Sequence, residues 1–159
     1  MFFYEWYIMY DIIGYFGPWL LLVVILIYNI WLPLKYNLIY VLFILINIIS
    51  NNVVKQYIQE PRPKNQKHLF DFEKLKLKDK NPHIYGMPSG HSQMIWFSVI
   101  FSLFVLENIY LFLFALSIAF NTMRQRYKYR NHTKGQIFAG SMFGIMIGYL
   151  SYKISLNIK

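Results

Sequence analysis

The block LLLVVILIYNIWL, Leu20 to Leu32, constrains this chain most, because it is apolar on every side of any helix it could form. A helix on the surface of a soluble bundle keeps a polar face towards water. This block has none, and further apolar stretches follow it, so the pattern predicts membrane spans instead of one water-soluble core. The first span covers about Trp19 to Leu34, the second Leu38 to Val54, the third Ser89 to Leu106, the fourth Ile109 to Met123 and the fifth Ile137 to Ile154. Each is a little shorter than the ~20 residues of a typical spanning helix, which suits a thin bilayer. Ahead of them, MFFYEWYIMYDIIGYF is aromatic and carries Glu5 and Asp11, with no basic n-region and no small-residue cleavage site. It reads as an interfacial or partly inserted helix and not as a signal peptide. The expected fold is an all-α integral membrane protein: a bundle of about five transmembrane helices plus an N-terminal interfacial helix. It forms one domain over residues 1–159, with its core motifs within 51–148.

Up-and-down spans bring four chain points to one membrane face: the end of the second span, the start of the third, the end of the fourth and the start of the fifth. That face carries 13 of the 16 Lys and Arg residues; the other holds Lys35, Lys153 and Lys159. The formal net charge of +9 fits an anionic membrane or a phosphorylated ligand. The apolar blocks argue against a soluble nucleic-acid binder, so no nucleic-acid partner is expected. The absence of cysteine excludes disulfides, zinc thiolates and a cysteine nucleophile. The acids of the face, Glu60, Asp71, Glu73 and Asp79, show no paired metal-ligand spacing, so neither metal nor cofactor is expected. The alternation LKLKDK, Leu75 to Lys80, reads as a solvated loop in preference to an edge strand, and Lys74, Lys76, Lys78 and Lys80 as a solvated charge run. His68 and His83 read as loop residues.

Three clusters on this face carry chemistry. Lys55 ends the second span, and Arg62 stands between Pro61 and Pro63, which stiffen the turn and fix its direction. Lysine offers a mobile point charge and arginine a planar fork that matches phosphate oxygens. In Tyr85-Gly-Met-Pro-Ser-Gly-His91, Ser89 can cap the third span, Gly90 lets backbone amides approach an anion, and His91 stands on the first turn to move a proton. In the third cluster, Arg126 precedes His132, and Gln136 is four residues further on, hence on the same helical face. The Gln136 carbonyl can accept from one ring nitrogen of His132 and leave the other free to attack phosphorus. Each cluster alone has a plainer reading: a basic headgroup anchor, a helix cap, a loop holding acidic lipids. Their convergence on one face favours a phosphate-handling site.

The order Lys-x6-Arg-Pro, Pro-Ser-Gly-His, Arg-x5-His resembles the type-2 phosphatidic acid phosphatase superfamily. IQEPRP (58–63), YGMPSGHSQMIWF (85–97) and HTKGQ (132–136) are most similar to its dolichyldiphosphatase branch. The resemblance covers roughly Asn51 to Gly148. It implies a metal-independent hydrolase that removes the terminal phosphate of a polyprenyl (dolichyl) diphosphate in the endoplasmic reticulum membrane, recycling the carrier of protein glycosylation. It further implies His132 as nucleophile and His91 as proton donor and acceptor, with Lys55, Arg62, Ser89, Gly90 and Arg126 holding the phosphate. Alternatives are a phosphatidate or other lipid phosphate phosphatase, or a silent lipid-binding protein. The wider superfamily has Asp where this chain has Gln136; the branch has Gln. The branch more often has Ser at the position of Gly90, and this chain is short for it. The resemblance places the basic face in the lumen, whereas the charge count places it in the cytoplasm. Phe70, Tyr85, Met87 and Met94 are candidates to line the path of the lipid tail. Gly140, Gly144 and Gly148 form a small-residue stripe for packing within the chain or for a homo-oligomer.

Overall fold

A computed structural model describes residues 2–70 and 85–158, and all its regular structure is helical. Lys74, Lys76, Lys78, Lys80 and His83, the LKLKDK stretch, and the acids Asp71, Glu73 and Asp79 lie outside the described residues. Among the described residues, five helices pack up and down: α1 (Phe2–Asn29), α2 (Leu34–Ile58), α3 (Gly90–Ile100, continued by a π-helical turn, Phe101–Val105), α4 (Ile109–Lys128) and α5 (Lys134–Asn157). The chain is an all-α membrane protein. Trp6–Asn29, Leu34–Ile58 and Lys134–Asn157 are long and apolar enough to cross a bilayer, and Gly90–Val105 is a shorter apolar helix. The last two turns of α4 bear Asn121, Thr122, Arg124, Gln125, Arg126 and Lys128, which dilute its apolar character.

The N-terminal segment corrects an expectation. It is no separate interfacial helix but one continuous helix with the first span, running through Pro18. Its Asp11 is satisfied by the end of α4, which removes that reason to stay at the interface. A Cβ on Gly14 would meet Gln125 and Asn121, and one on Gly17 would meet Thr122 and Ile118, so the two backbones approach closely. Asp11, only 2% exposed, binds Arg124 at 2.5 Å, Lys128 at 2.5 Å and the Tyr129 hydroxyl at 2.8 Å.

The glycine stripe of α5 is filled by α3 of the same chain. Gly140 lies on the Ser89 backbone, Gly144 on the Gln93 backbone and Gly148 on Ile100. A second copy would therefore need a different face. The core has two parts. Tyr40, Phe43, Phe97 and Phe101 join α2 to α3, with the Tyr40 and Phe97 rings stacked at 5.3 Å. Leu21, Ile95, Val99, Ala115, Ile118 and Ala119 join α1, α3 and α4. Polar bonds fix the register between α2 and α3: Asn51 Nδ2 donates to Gln93 Oε1 at 2.8 Å, and Gln93 Nε2 to the Asn47 carbonyl at 3.1 Å. Met94 is a buried member of the first cluster, so it does not line an open path.

Candidate active site

Local capping builds the site. Gln59 ends α2 in the left-handed region (φ 53°) with its amide bonded to the Lys55 carbonyl, and turns the chain towards Arg62. That segment is tied down twice: the Gly86 amide donates to the Glu60 carbonyl at 2.8 Å, and the Lys67 amide to the Tyr129 carbonyl at 2.9 Å. Ser89 caps α3, its hydroxyl accepting from the Ser92 amide, and its own amide donates to the Gln136 carbonyl at 3.0 Å. Thr133 caps α5 in a reciprocal box with Gln136. The T-x-x-Q signature of that box was present in the sequence and marks the start of α5. Gln136 thus has two duties, closing the first turn of α5 and facing the residue before the cap, His132.

The described structure brings together the residues that the sequence singled out. His132 Nδ1 lies 2.9 Å from the Gly86 carbonyl and 3.2 Å from Gln136 Oε1. Both are acceptors, so Nδ1 carries the hydrogen and Nε2 keeps its lone pair. Arg62 Nη1 stands 3.5 Å from that Nε2 and donates to the Asn131 carbonyl at 3.4 Å. Lys55, Ser89, Arg126, His132 and Gln136 are each buried. Burial, then the charges of Arg62, Lys55 and Arg126, hold the His132 imidazole well below its ordinary range, opposed by the Gln136 hydrogen bond. His91 faces the same cations, Arg126, Arg62 and Lys55, and its Nε2 is buried without a hydrogen-bond partner among the described residues. Gly90 faces Asn51, whose Oδ1 a Cβ would meet at 3.1 Å.

The roles of Tyr15, Asp11 and Glu60 at the site were not read from the sequence. Tyr15 of α1 covers it: its ring centroid is 5.9 Å from that of His91 and 4.7 Å from the Arg126 guanidinium. Phe70 packs on Tyr15 at 5.2 Å and on Phe16 at 5.7 Å. Tyr85 pairs with Pro61, and Tyr85 and Met87 are half-buried near the site. Asp11 fixes the C-terminal turns of α4 that present Arg126. The Glu60 carboxylate accepts from Gln136 Nε2 at 2.7 Å. Its only warning in the sequence was an acid amid cations.

The PAP2 superfamily model matches residues 36–159. The chain belongs to the PAP2 superfamily. The matched region contains every candidate site residue from Lys55 to Gln136 and leaves Asp11 and Tyr15 of α1 outside it. The chain is 32% identical to Dolichyldiphosphatase 1 of Dictyostelium discoideum over 120 residues, which are 66% of this chain and 46% of that protein. It thus spans about half the length of this curated relative. The similarity supports the dolichyldiphosphatase branch of the superfamily. No solved structure matches the chain.

Proposed function

We propose that the protein is a lipid phosphatase that hydrolyses the terminal phosphate of a polyprenyl diphosphate, dolichyl diphosphate being the favoured substrate, in the endoplasmic reticulum membrane. The observation that carries this is the tautomer of His132: two acceptors on Nδ1 leave the Nε2 lone pair facing Arg62 in a pocket of buried cations. Nε2 attacks the terminal phosphorus, a P–N bond forms, and the P–O bond to the lipid phosphate breaks. The electron pair leaves on that oxygen, which takes a proton from His91. Water, deprotonated by His91, then attacks the phosphohistidine; the P–N bond breaks and inorganic phosphate is released. Lys55, Arg62 and Arg126, with the Ser89 hydroxyl and the Gly90 amide, hold the equatorial oxygens and balance the charge that grows on them. The apolar helices receive the isoprenoid tail. The similarity to Dolichyldiphosphatase 1 supports the diphosphate head over a phosphatidate.

The test is phosphate release by the purified protein from a panel of polyprenyl monophosphate, polyprenyl diphosphate and phosphatidate, with a chelator present and His132→Ala as control. Release from the diphosphate, inhibited by vanadate and lost in the variant, is the expected result. Full activity in His132→Ala would sink the mechanism, and preference for phosphatidate would move the substrate class.

A further inference from the structure

The hydrogen bonds of Gln136 allow its amide one orientation. Nε2 donates to the Glu60 carboxylate at 2.7 Å and to the Pro61 carbonyl at 2.9 Å. Oε1 accepts from the Thr133 amide at 3.2 Å and from His132 Nδ1 at 3.2 Å. A side-chain amide has two donor hydrogens and two acceptor sites, and all four are used. Turning the amide over would set oxygen against the two acceptors and N–H groups against the Thr133 amide. Gln136 is fully buried, so water cannot relieve that conflict.

We infer that Glu60 is a positioning residue for His132, acting through the side chain of Gln136; this rests on His132 being the nucleophile proposed above. The Glu60 carboxylate selects which end of the amide meets the imidazole. Its charge polarises the amide, which makes Oε1 a stronger acceptor for Nδ1–H. When Nε2 attacks phosphorus the ring gains positive charge, and a carboxylate one amide away stabilises it. Among the described residues, the charges acting directly on His132 are Arg62 from the 59–70 segment, Lys55 from α2 and Arg126 from α4, all cationic, while Glu60 reaches the ring through the Gln136 amide. Glu60 therefore supplies the negative charge that this set lacks. Its backbone is held in place for the task, its carbonyl bound by the Gly86 amide and its neighbour Pro61 bridged to Tyr85.

Glu60→Gln keeps the shape and removes the charge. The expected result is a kcat on polyprenyl diphosphate lower by on the order of ten-fold, the equivalent of about one pKa unit on the ring. KM should change by less than about two-fold, since the contact acts on the transition state and not on binding. The acid limb of kcat/KM should move to lower pH, because the protonated ring loses a stabilising charge. Gln136→Glu alone sets two carboxylates against each other and should be worse than Glu60→Gln. Combining Gln136→Glu with Glu60→Gln leaves one carboxylate and should recover activity. Without substrate, the Nδ1 proton of His132 should resonate downfield in the wild type and move upfield in Glu60→Gln. A Glu60→Gln protein with wild-type kcat, pH profile and Nδ1 resonance overturns the inference, as does a double variant no better than Gln136→Glu alone. If the wild type releases no phosphate from any lipid, the proposed function fails, and the Nδ1 resonance still decides whether Glu60 acts on His132.

Discussion

Gly86 lies so close to Gln136 that a methyl group added to it would overlap Cδ, Oε1 and Nε2 of that side chain at once. The same residue offers its carbonyl to His132 Nδ1. Gly86→Ala should therefore move Gln136 and the His132 ring together. A displacement of about 1 Å at a reacting group costs on the order of 10²-fold in rate. Overpacking itself costs about 1–3 kcal/mol, which a thermal unfolding curve in detergent would register as a modest fall. A folded Gly86→Ala protein with wild-type kcat would contradict this geometry.

Much of the site was legible because its parts are local. His132 and Gln136 are one helical turn apart, and Ser89 stands where a cap must stand, so spacing alone places them. Helix ends were less legible. The sequence places the end of the second span at Val54, yet α2 runs to Ile58, with Lys55 buried at the site while still on the helix. Long-range pairs were not legible at all. Asp11 with Arg124, and Glu60 with Gln136, join residues 113 and 76 positions apart, and no periodicity encodes such a pairing. The aromatic N-terminus suggested an interface helix because its partner α4 could not be seen from its own composition.

The pH dependence follows from the environment of His132. Burial and three cations favour the neutral ring, so its pKa is depressed. The neutral ring is the nucleophile, and it remains neutral as pH falls through the ordinary histidine value of 6.5. The acid limb of kcat/KM, which reports the free enzyme, should accordingly lie below that value. Arg62→Gln removes the largest of the opposing charges and should shift the limb to higher pH while lowering the rate. A limb that stays fixed in Arg62→Gln would show that another group sets it.

The α3–α5 contact can be tested at two glycines of the same helix. A Cβ on Gly140 would strike the Ser89 backbone, which cannot yield without moving the head of α3. Gly140→Ala should cost about 1–3 kcal/mol and reduce activity through displaced Ser89 and Gly90. Among the described residues, a Cβ on Gly135 would meet only Thr133 Oγ1, at 3.8 Å. Gly135→Ala should be neutral or stabilise by up to about 1 kcal/mol, as alanine does in a helix. The two variants are compared by thermal unfolding and by kcat. Equal effects would mean that the glycine stripe does not set the helix spacing.

Asp11 gives the last test, because it links the helix outside the family match to the residues inside it. Its carboxylate is almost fully buried, whereas Arg124 and Lys128 are about a third exposed, at 31% and 38%. In Asp11→Asn, an N–H group faces donors and the buried contact is lost, while water recovers part of the solvation of the two cations. The loss should be about 1.5–3 kcal/mol, the range for hydrogen bonds to a charged group. Arg124→Gln should lose less, because Lys128 and Tyr129 still hold the carboxylate. A looser α1 also withdraws Tyr15 from Arg126 and His91, so kcat should fall with stability in Asp11→Asn. Restoring stability by lower temperature should not restore the rate if Tyr15 has moved. A double-mutant cycle between Asp11 and Arg124, read by thermal unfolding, measures the coupling directly. A coupling of zero would show that the pair contributes nothing to docking α1 on α4.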